Sequence, residues 1–283
     1  MNKEIKEAFS FISPLIIFIS IFMLLPLIGT FWISFWRDVS FLPKKFLGID
    51  NYLRLFKDPQ FLQSLYFTTL FTVFSVAIEM VLGIIFALVI NEKKGIIRGI
   101  ILLPWVIPSV ISARIWQLIY RYDYGLANFL LEKIFHFSIN WLGSPSGAFF
   151  SLLLADVWRT TPFVTIIILA GLQAIPEDLY KQAKIDGTNF FQRFFKITIP
   201  LLKPIIIVAL LFRTIDALRI FDIIYVITGG GPAGTTTSLS IYAYKYFLLG
   251  DFSYGATISV ILFFIAFFIA IFYIKIGKFK AIL

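Results

Sequence analysis

Long apolar runs separated by short polar breaks dominate the chain of 283 residues. A helix that crosses a bilayer needs about 20 mostly apolar residues. Six stretches reach that length: Phe11–Phe35, Tyr66–Ile90, Gly99–Tyr120, Phe149–Gly171, Pro204–Val226 and Gly255–Ile274. The first follows Lys3 and Lys6, as a secretory signal would. Its apolar run is too long for one and no small-residue cleavage site follows, so it is expected to persist as an anchor. The pattern predicts an all-α integral membrane protein with six transmembrane helices in a single membrane domain over residues 1–283.

Six spans put both ends of the chain on one side. Lys and Arg favour the cytoplasmic side. With the N-terminus inside, the inner segments carry Lys3, Lys6, Lys93, Lys94, Arg98, Lys181, Lys184, Arg193, Lys196, Lys203, Lys275, Lys278 and Lys280. The outer loops are longer and carry fewer, although the first is itself basic, with Arg37, Lys44, Lys45, Arg54 and Lys57. The expected topology is N-in, C-in, in a cytoplasmic (inner) membrane. Asn51-Tyr52-Leu53 and Trp141-Leu142-Gly143-Ser144-Pro145 read as turns and short interfacial helices of the outer loops.

Composition narrows the classes. Hydrophobic residues make up 59% and charged residues 14%, against roughly 25% charged in soluble domains. That excludes a soluble enzyme, a nucleic-acid-binding domain and a disordered chain, and it makes the bilayer the solvent. The net charge of +9 then marks topology rather than a nucleic-acid partner. No cysteine and a single histidine, His136, leave no thiolate chemistry and no ordinary zinc site, so no metal or cofactor is expected.

The only sizeable inner loop is 172–203. Pro176 stands where a helix can begin, with Glu177 and Asp178 at its positive end. Asp186-Gly187 breaks that helix, and a second short helix fits 189–197, where Phe190, Phe194 and Ile197 share one face. Pro200 and Pro204 then punctuate the return to the membrane. Such a helix–turn–helix can rest on lipid headgroups or dock on a partner protein.

The residues of this loop resemble the EAA loop of permease subunits in binding-protein-dependent ABC importers. Ala183, Asp186, Gly187, Ile197 and Pro200 match its pattern, while Lys181 stands where the family has Glu and Gln182 where it has Ala. Further stretches are similar to the carbohydrate branch: Leu103-Pro104-Trp105 with Ile107-Pro108, Trp141-Leu142-Gly143, Trp158 with Thr161-Pro162-Phe163, Ala170 to Gln173, and Ile175-Pro176. Phe221 to Val226 followed by Thr228 to Pro232 is especially close to the first permease of maltose-type and glycerol-phosphate-type importers. The resemblance implies the type I importer permease fold. It also implies a carbohydrate substrate, a second similar permease, two ATP-binding subunits and an extracytoplasmic sugar-binding protein. By the same resemblance Lys181, Gln182, Ala183, Asp186, Gly187, Phe190, Phe194, Ile197 and Pro200 couple the chain to an ATPase, with one docking charge reversed at Lys181.

Gly229, Gly231 and Gly234 satisfy G-x-G-x-x-G, but the βαβ frame of a dinucleotide site is missing and Pro232 interrupts it. The same run lacks the lysine of a phosphate-binding loop. The chain therefore carries no ATP site of its own, and the stretch reads as a turn.

Charges at bilayer depth are costly, at least about 2.5–3.5 kcal/mol each near the centre. Glu79, Arg114, Asp156, Arg159, Arg213, Asp216, Arg219 and Asp222 fall there. Asp156 with Arg159, and the run Arg213, Asp216, Arg219, Asp222, are spaced three apart with alternating sign. On one helix, neighbours of each kind meet across a turn, and the stripe spirals until Arg213 and Asp222 lie on opposite faces. These pairs either neutralise one another and pin helices, or line a polar path. In the family that the loop resembles, these stretches border the translocation cavity, which implies path residues at Arg159, Thr160, Phe163, Arg213, Asp216, Ala217 and Ile220. An ion-driven transporter in which Asp216 or Glu79 titrates, and a membrane-embedded glycosyl transferase, are the alternatives.

Overall fold

The computed structural model describes residues 3–91 and 95–277. Lys93, Lys94, Lys278 and Lys280, invoked above for topology, lie outside the described residues. In chain order the helices are α1 (Lys3–Ile19), α2 (Leu25–Ser34), α3 (Asp50–Leu55), α4 (Pro59–Asn91), α5 (Ile96–Val106), α6 (Ser109–Ile119), α7 (Leu126–Phe135), α8 (Pro145–Gln173), α9 (Glu177–Ile185), α10 (Phe190–Arg193), α11 (Ile199–Leu218), α12 (Asp222–Ile227), α13 (Leu239–Leu248) and α14 (Phe252–Gly277). A two-residue antiparallel pair, β1 (Trp36–Arg37) and β2 (Lys45–Phe46), closes part of the segment between α2 and α3. Five helices are long and apolar enough to cross a membrane, and six if one bent pair counts as a span.

That bent pair corrects the third span, expected as one helix over Gly99–Tyr120. Helices α5 and α6 meet at 90°. The cause is Pro108: the residue before a proline is pushed out of the helical region, and Ile107 is extended at φ −68°, ψ 129°.

Two other prolines act differently. Pro26 and Pro200 lie just after five-residue π turns at Ser20–Leu24 and Phe194–Thr198. In each, the residue before the proline donates its N–H five residues back, Leu25 to Ser20 and Ile199 to Phe194. A proline ring clashes with the carbonyl four residues earlier, and the wider turn accommodates it while the helix continues. The second of these corrects the reading of the 172–203 loop. Residues 189–197 are not a separate short helix, because α10 runs through the π turn into α11, and Pro200 and Pro204 lie within the continuous rod.

The chain divides into two compact units. The first comprises the residues through Leu62 with Tyr242–Phe263. Within it, Asn51 donates to the Ser34 and Trp36 carbonyls at 2.8 Å each, and Phe31 meets Phe263 edge-on at 5.6 Å. Asp58, at the foot of α4, accepts from Tyr242 at 2.5 Å, Tyr254 at 2.8 Å and the Gln60 N–H at 3.0 Å. Burial raises the Asp58 carboxyl, but these hydrogen bonds outweigh it and hold the group below its ordinary range.

The second unit comprises Gln63–Ile241 and the residues from Phe264 on. Helix α8 is its axis. Ser144 caps it by accepting from the Gly147 N–H at 3.1 Å, with Pro145 at the first helical position. One apolar cluster joins Phe67, Phe71, Leu152, Ile223 and Ile241, and another joins Val76, Met80, Val164, Ile168 and Leu202. Gly83 lets α4 lie directly on α8, since a Cβ there would sit 2.5 Å from Val164 Cγ1.

Candidate functional site

A polar cavity of about 270 Å³ sits in the second unit, where two helices are broken. Its wall includes Ser109 at the start of α6 and Asp222 at the start of α12, with Asp156, Arg159, Arg213, Asp216, Arg219, Ile220 and Phe221. The fifth span, expected over Pro204–Val226, runs within Phe190–Ile227, and its helix is interrupted between α11 and α12. Arg219 leaves helical geometry at φ −96°, ψ 18°, and Phe221 adopts φ −136°, ψ −64°. The carbonyl of Ile220 is then satisfied by the Ser238 hydroxyl at 2.8 Å. No proline or glycine marks this break, and tertiary bonding sets it: Ser109 donates to Asp222, and Gln117 donates to the Val226 carbonyl at 2.7 Å.

The ladder is consequently not one stripe. Arg213 reaches Asp216 at 3.4 Å, and Asp216 also accepts from Arg219 at 3.2 Å. Asp222 belongs instead with Ser109. Asp156 does not pair with Arg159 either. Arg213 takes it, together with Glu79: the guanidinium Nε and Nη2 bond Glu79, the latter at 2.9 Å, and Nη2 also bonds Asp156. Thr160 completes the group by donating to Glu79 at 2.7 Å. Glu79, Asp156 and Arg213 expose 0%, 3% and 1% of their surface, so these charges are almost wholly enclosed by protein. One guanidinium thus ties α4, α8 and α11 together.

Among the expected path residues, Arg159, Arg213, Asp216 and Ile220 reach the cavity wall. Thr160 points to Glu79, Ala217 is buried in the apolar cluster with Val76, and Phe163 stacks on Trp105 at 5.7 Å. The Arg159 Nε is buried with no hydrogen-bond partner. Arg114 is exposed and donates to Gln117 at 2.7 Å. The bonds from Glu79 to Arg213 and from Ser109 to Asp222 were not read from sequence. One signal existed: Glu79 is the sole charge in the whole of α4, and such a residue needs a partner. Among the described residues no cluster of three His, Cys, Asp or Glu is placed to hold a metal.

The loop over 172–203 forms a second site. Helix α9 ends in a Schellman turn: Thr188 N–H bonds the Ala183 carbonyl at 3.1 Å, Gly187 N–H bonds Lys184 at 3.1 Å, and Gly187 takes φ +72°. Asn189 and Gln192 then cap α10 reciprocally at 2.9 Å each. Ala183 is buried, whereas Lys181, Gln182, Asp186 and Pro200 are exposed. Lys181 pairs within its own helix, with Asp178 at 3.0 Å and Glu177 at 3.9 Å. Phe190 stacks on Phe194 at 6.2 Å and remains 56% exposed, and Ile197 is half-buried. A cleft of about 790 Å³ opens here, lined by Arg98, Tyr180, Lys181, Lys184, Phe190 and Arg193 among others. The glycine run at 229–234 follows helix α12 rather than a strand, and Thr228 and Thr236 bond each other across it at 2.8 Å.

Known proteins are similar to this chain. The chain is 51% identical to the trehalose/maltose transport system permease protein MalF of Thermococcus litoralis, over 98% of this chain and 96% of that one. It is 37% identical to the sulfoquinovosyl glycerol transport system permease protein SmoG of Agrobacterium fabrum, over 95% and 89%. A bacterial alginate ABC transporter, solved in complex with its alginate pentasaccharide-bound periplasmic protein, superposes with a TM-score of 0.85 at 25% identity, over 98% and 96% of the two chains. Residues 79–276 match the model of the binding-protein-dependent transport system inner membrane component, and the chain belongs to that family.

Proposed function

We propose that this chain is the permease subunit of an ATP-driven importer for a neutral sugar. It works as one membrane domain of six spans with both ends inside a cytoplasmic membrane. It pairs with a second permease, takes sugar from an extracytoplasmic binding protein and draws energy from two separate ATPase subunits. The observation that carries the sugar reading is the cavity at the two helix breaks, whose wall balances three arginines against three aspartates. Broken helices at a polar site are a recurring way to line a substrate path. Balanced charge suits hydroxyl groups, which need donors and acceptors rather than a net field. Of the three arginines only Arg159 has no ion-pair partner among the described residues, so a sugar hydroxyl can accept from it while Phe221 faces the apolar ring side.

The inner loop supplies the coupling. Lys181, Gln182, Asp186 and Gly187 face the ATPase, and exposed Phe190 with Phe194 seats in its cleft. Because α10 continues into α11, a push at Phe190 is carried along one rod to Asp216, about 39 Å away at 1.5 Å per residue. ATP binding draws the loops of the two permeases together and turns the cavity outward, and hydrolysis returns it. Glu79 and Asp216, which an ion-driven transporter would need to titrate, are both tied to Arg213.

The test is uptake into proteoliposomes holding the full complex. Labelled trehalose or maltose is expected to enter and to be unaffected by excess glycerol phosphate or uronate oligosaccharide. Competition by those anions, with no entry of either disaccharide, would overturn the neutral-sugar reading.

A further inference from the structure

Glu79 has no part in the transport path just described. It lies on α4, away from the cavity wall, and is wholly buried. Its two oxygens take the Arg213 guanidinium and the Thr160 hydroxyl, so its position is fixed on both sides. Arg213 in turn has little freedom left. Its Nε and Nη2 are used by Glu79 and Asp156, and only Nη1 extends to Asp216. Asp216 is the first member of this chain of bonds to be substantially exposed, at 49% of its side chain.

We infer that Glu79 is a positioning residue for the transport path: acting through Arg213, it fixes the Asp216 carboxylate at the cavity edge. The inference rests on the cavity being the sugar path. If Glu79 only neutralised Arg213 or pinned α4 to α11, Asp156 would already supply one buried counter-charge, and the bidentate grip on Nε and Nη2 would have no consequence for Asp216. With the grip in place the guanidinium plane cannot rotate, so Nη1 keeps one orientation toward Asp216, whose other oxygen accepts from the exposed Arg219 at 3.2 Å. A sugar hydroxyl reaching Asp216 then meets an acceptor already aligned, with less ordering left for the bound state.

A double-mutant cycle tests this in the reconstituted complex: wild type, E79Q, D216N and E79Q/D216N. The readouts are the half-saturating concentration of binding-protein-delivered trehalose or maltose, the maximal uptake rate, and the melting temperature of the purified complex. Where E79Q does not assemble, E79D takes its place, keeping the charge and withdrawing the carboxylate by one methylene. E79Q is expected to raise the half-saturating concentration about tenfold, equivalent to about 1.4 kcal/mol. In the D216N background that effect disappears, because both substitutions break one chain of contacts. Independent, multiplying effects would overturn the inference, as would an E79Q change confined to melting temperature. Failure of the wild-type complex to take up either sugar would instead overturn the neutral-sugar reading on which it rests.

Discussion

The buried cluster around Arg213 and the loop around Gly187 are both built from charged residues, and they obey opposite rules. In the cluster, one cation holds Glu79 and Asp156 with almost no exposure, across three helices distant in sequence. In the loop, Lys181 answers Glu177 and Asp178 within one helix, with side chains 66% to 88% exposed. Removing one partner of a dry ion group leaves an uncompensated charge. Removing one partner of a wet pair leaves a hydrated one. The first region is therefore built to stay fixed, and the second to be offered to another surface.

That contrast can be broken most forcefully at Arg213. Arg213→Ala strands two buried carboxylates and is expected to cost about 3–5 kcal/mol, read as loss of folded complex from detergent-solubilised membranes. A normal yield and melting temperature would mean that the cluster is not dry. Next comes Gly187→Ala. Its φ of +72° costs a side chain roughly 1–2 kcal/mol, yet nothing lies within 4 Å of the added Cβ. The protein should fold with a disturbed α9–α10 turn, and sugar moved per ATP hydrolysed should fall. An unchanged ratio would remove the loop from coupling.

A smaller effect belongs to Asp58, in the first unit. Its folded-state pKa is depressed, so its contribution is present above the unfolded value and is lost as pH falls through the folded one, below the ordinary aspartate range. Hydrogen exchange at Tyr242 and Tyr254 is expected to quicken over that acid interval in the wild type, and Asp58→Asn should abolish the pH dependence. The smallest change is Lys181→Glu. It is expected to alter melting by only a few tenths of a kcal/mol while changing affinity for the ATPase subunit, measured by co-purification at low and high salt.

The two regions were unequally legible in the sequence. Pro176, Asp186-Gly187 and the acids at 177–178 act on neighbours within a turn, so α9 and its end were readable from local chemistry. The Glu79–Arg213 bond joins residues 134 positions apart; spacing within one helix found Arg213 with Asp216 and Asp216 with Arg219, but it pointed Asp156 and Asp222 to the wrong partners. The same holds for the breaks. Ile107-Pro108 carries its own signal, although the apolar count hid it. Arg219–Phe221 carries none, because Ser109, Gln117 and Ser238 impose it from other segments. Pro200 and Pro204 misled in the other direction: a π turn lets the helix pass Pro200, and Pro204 lies inside α11.

The most direct test of the whole account is the energy source for uptake by the complex containing this chain. Labelled trehalose or maltose, presented by the binding protein to proteoliposomes, should accumulate with ATP on the ATPase side. It should cease when the phosphate-binding loop of the co-expressed ATPase subunit is mutated. Uptake that survives that mutation and follows an imposed proton gradient would contradict the account.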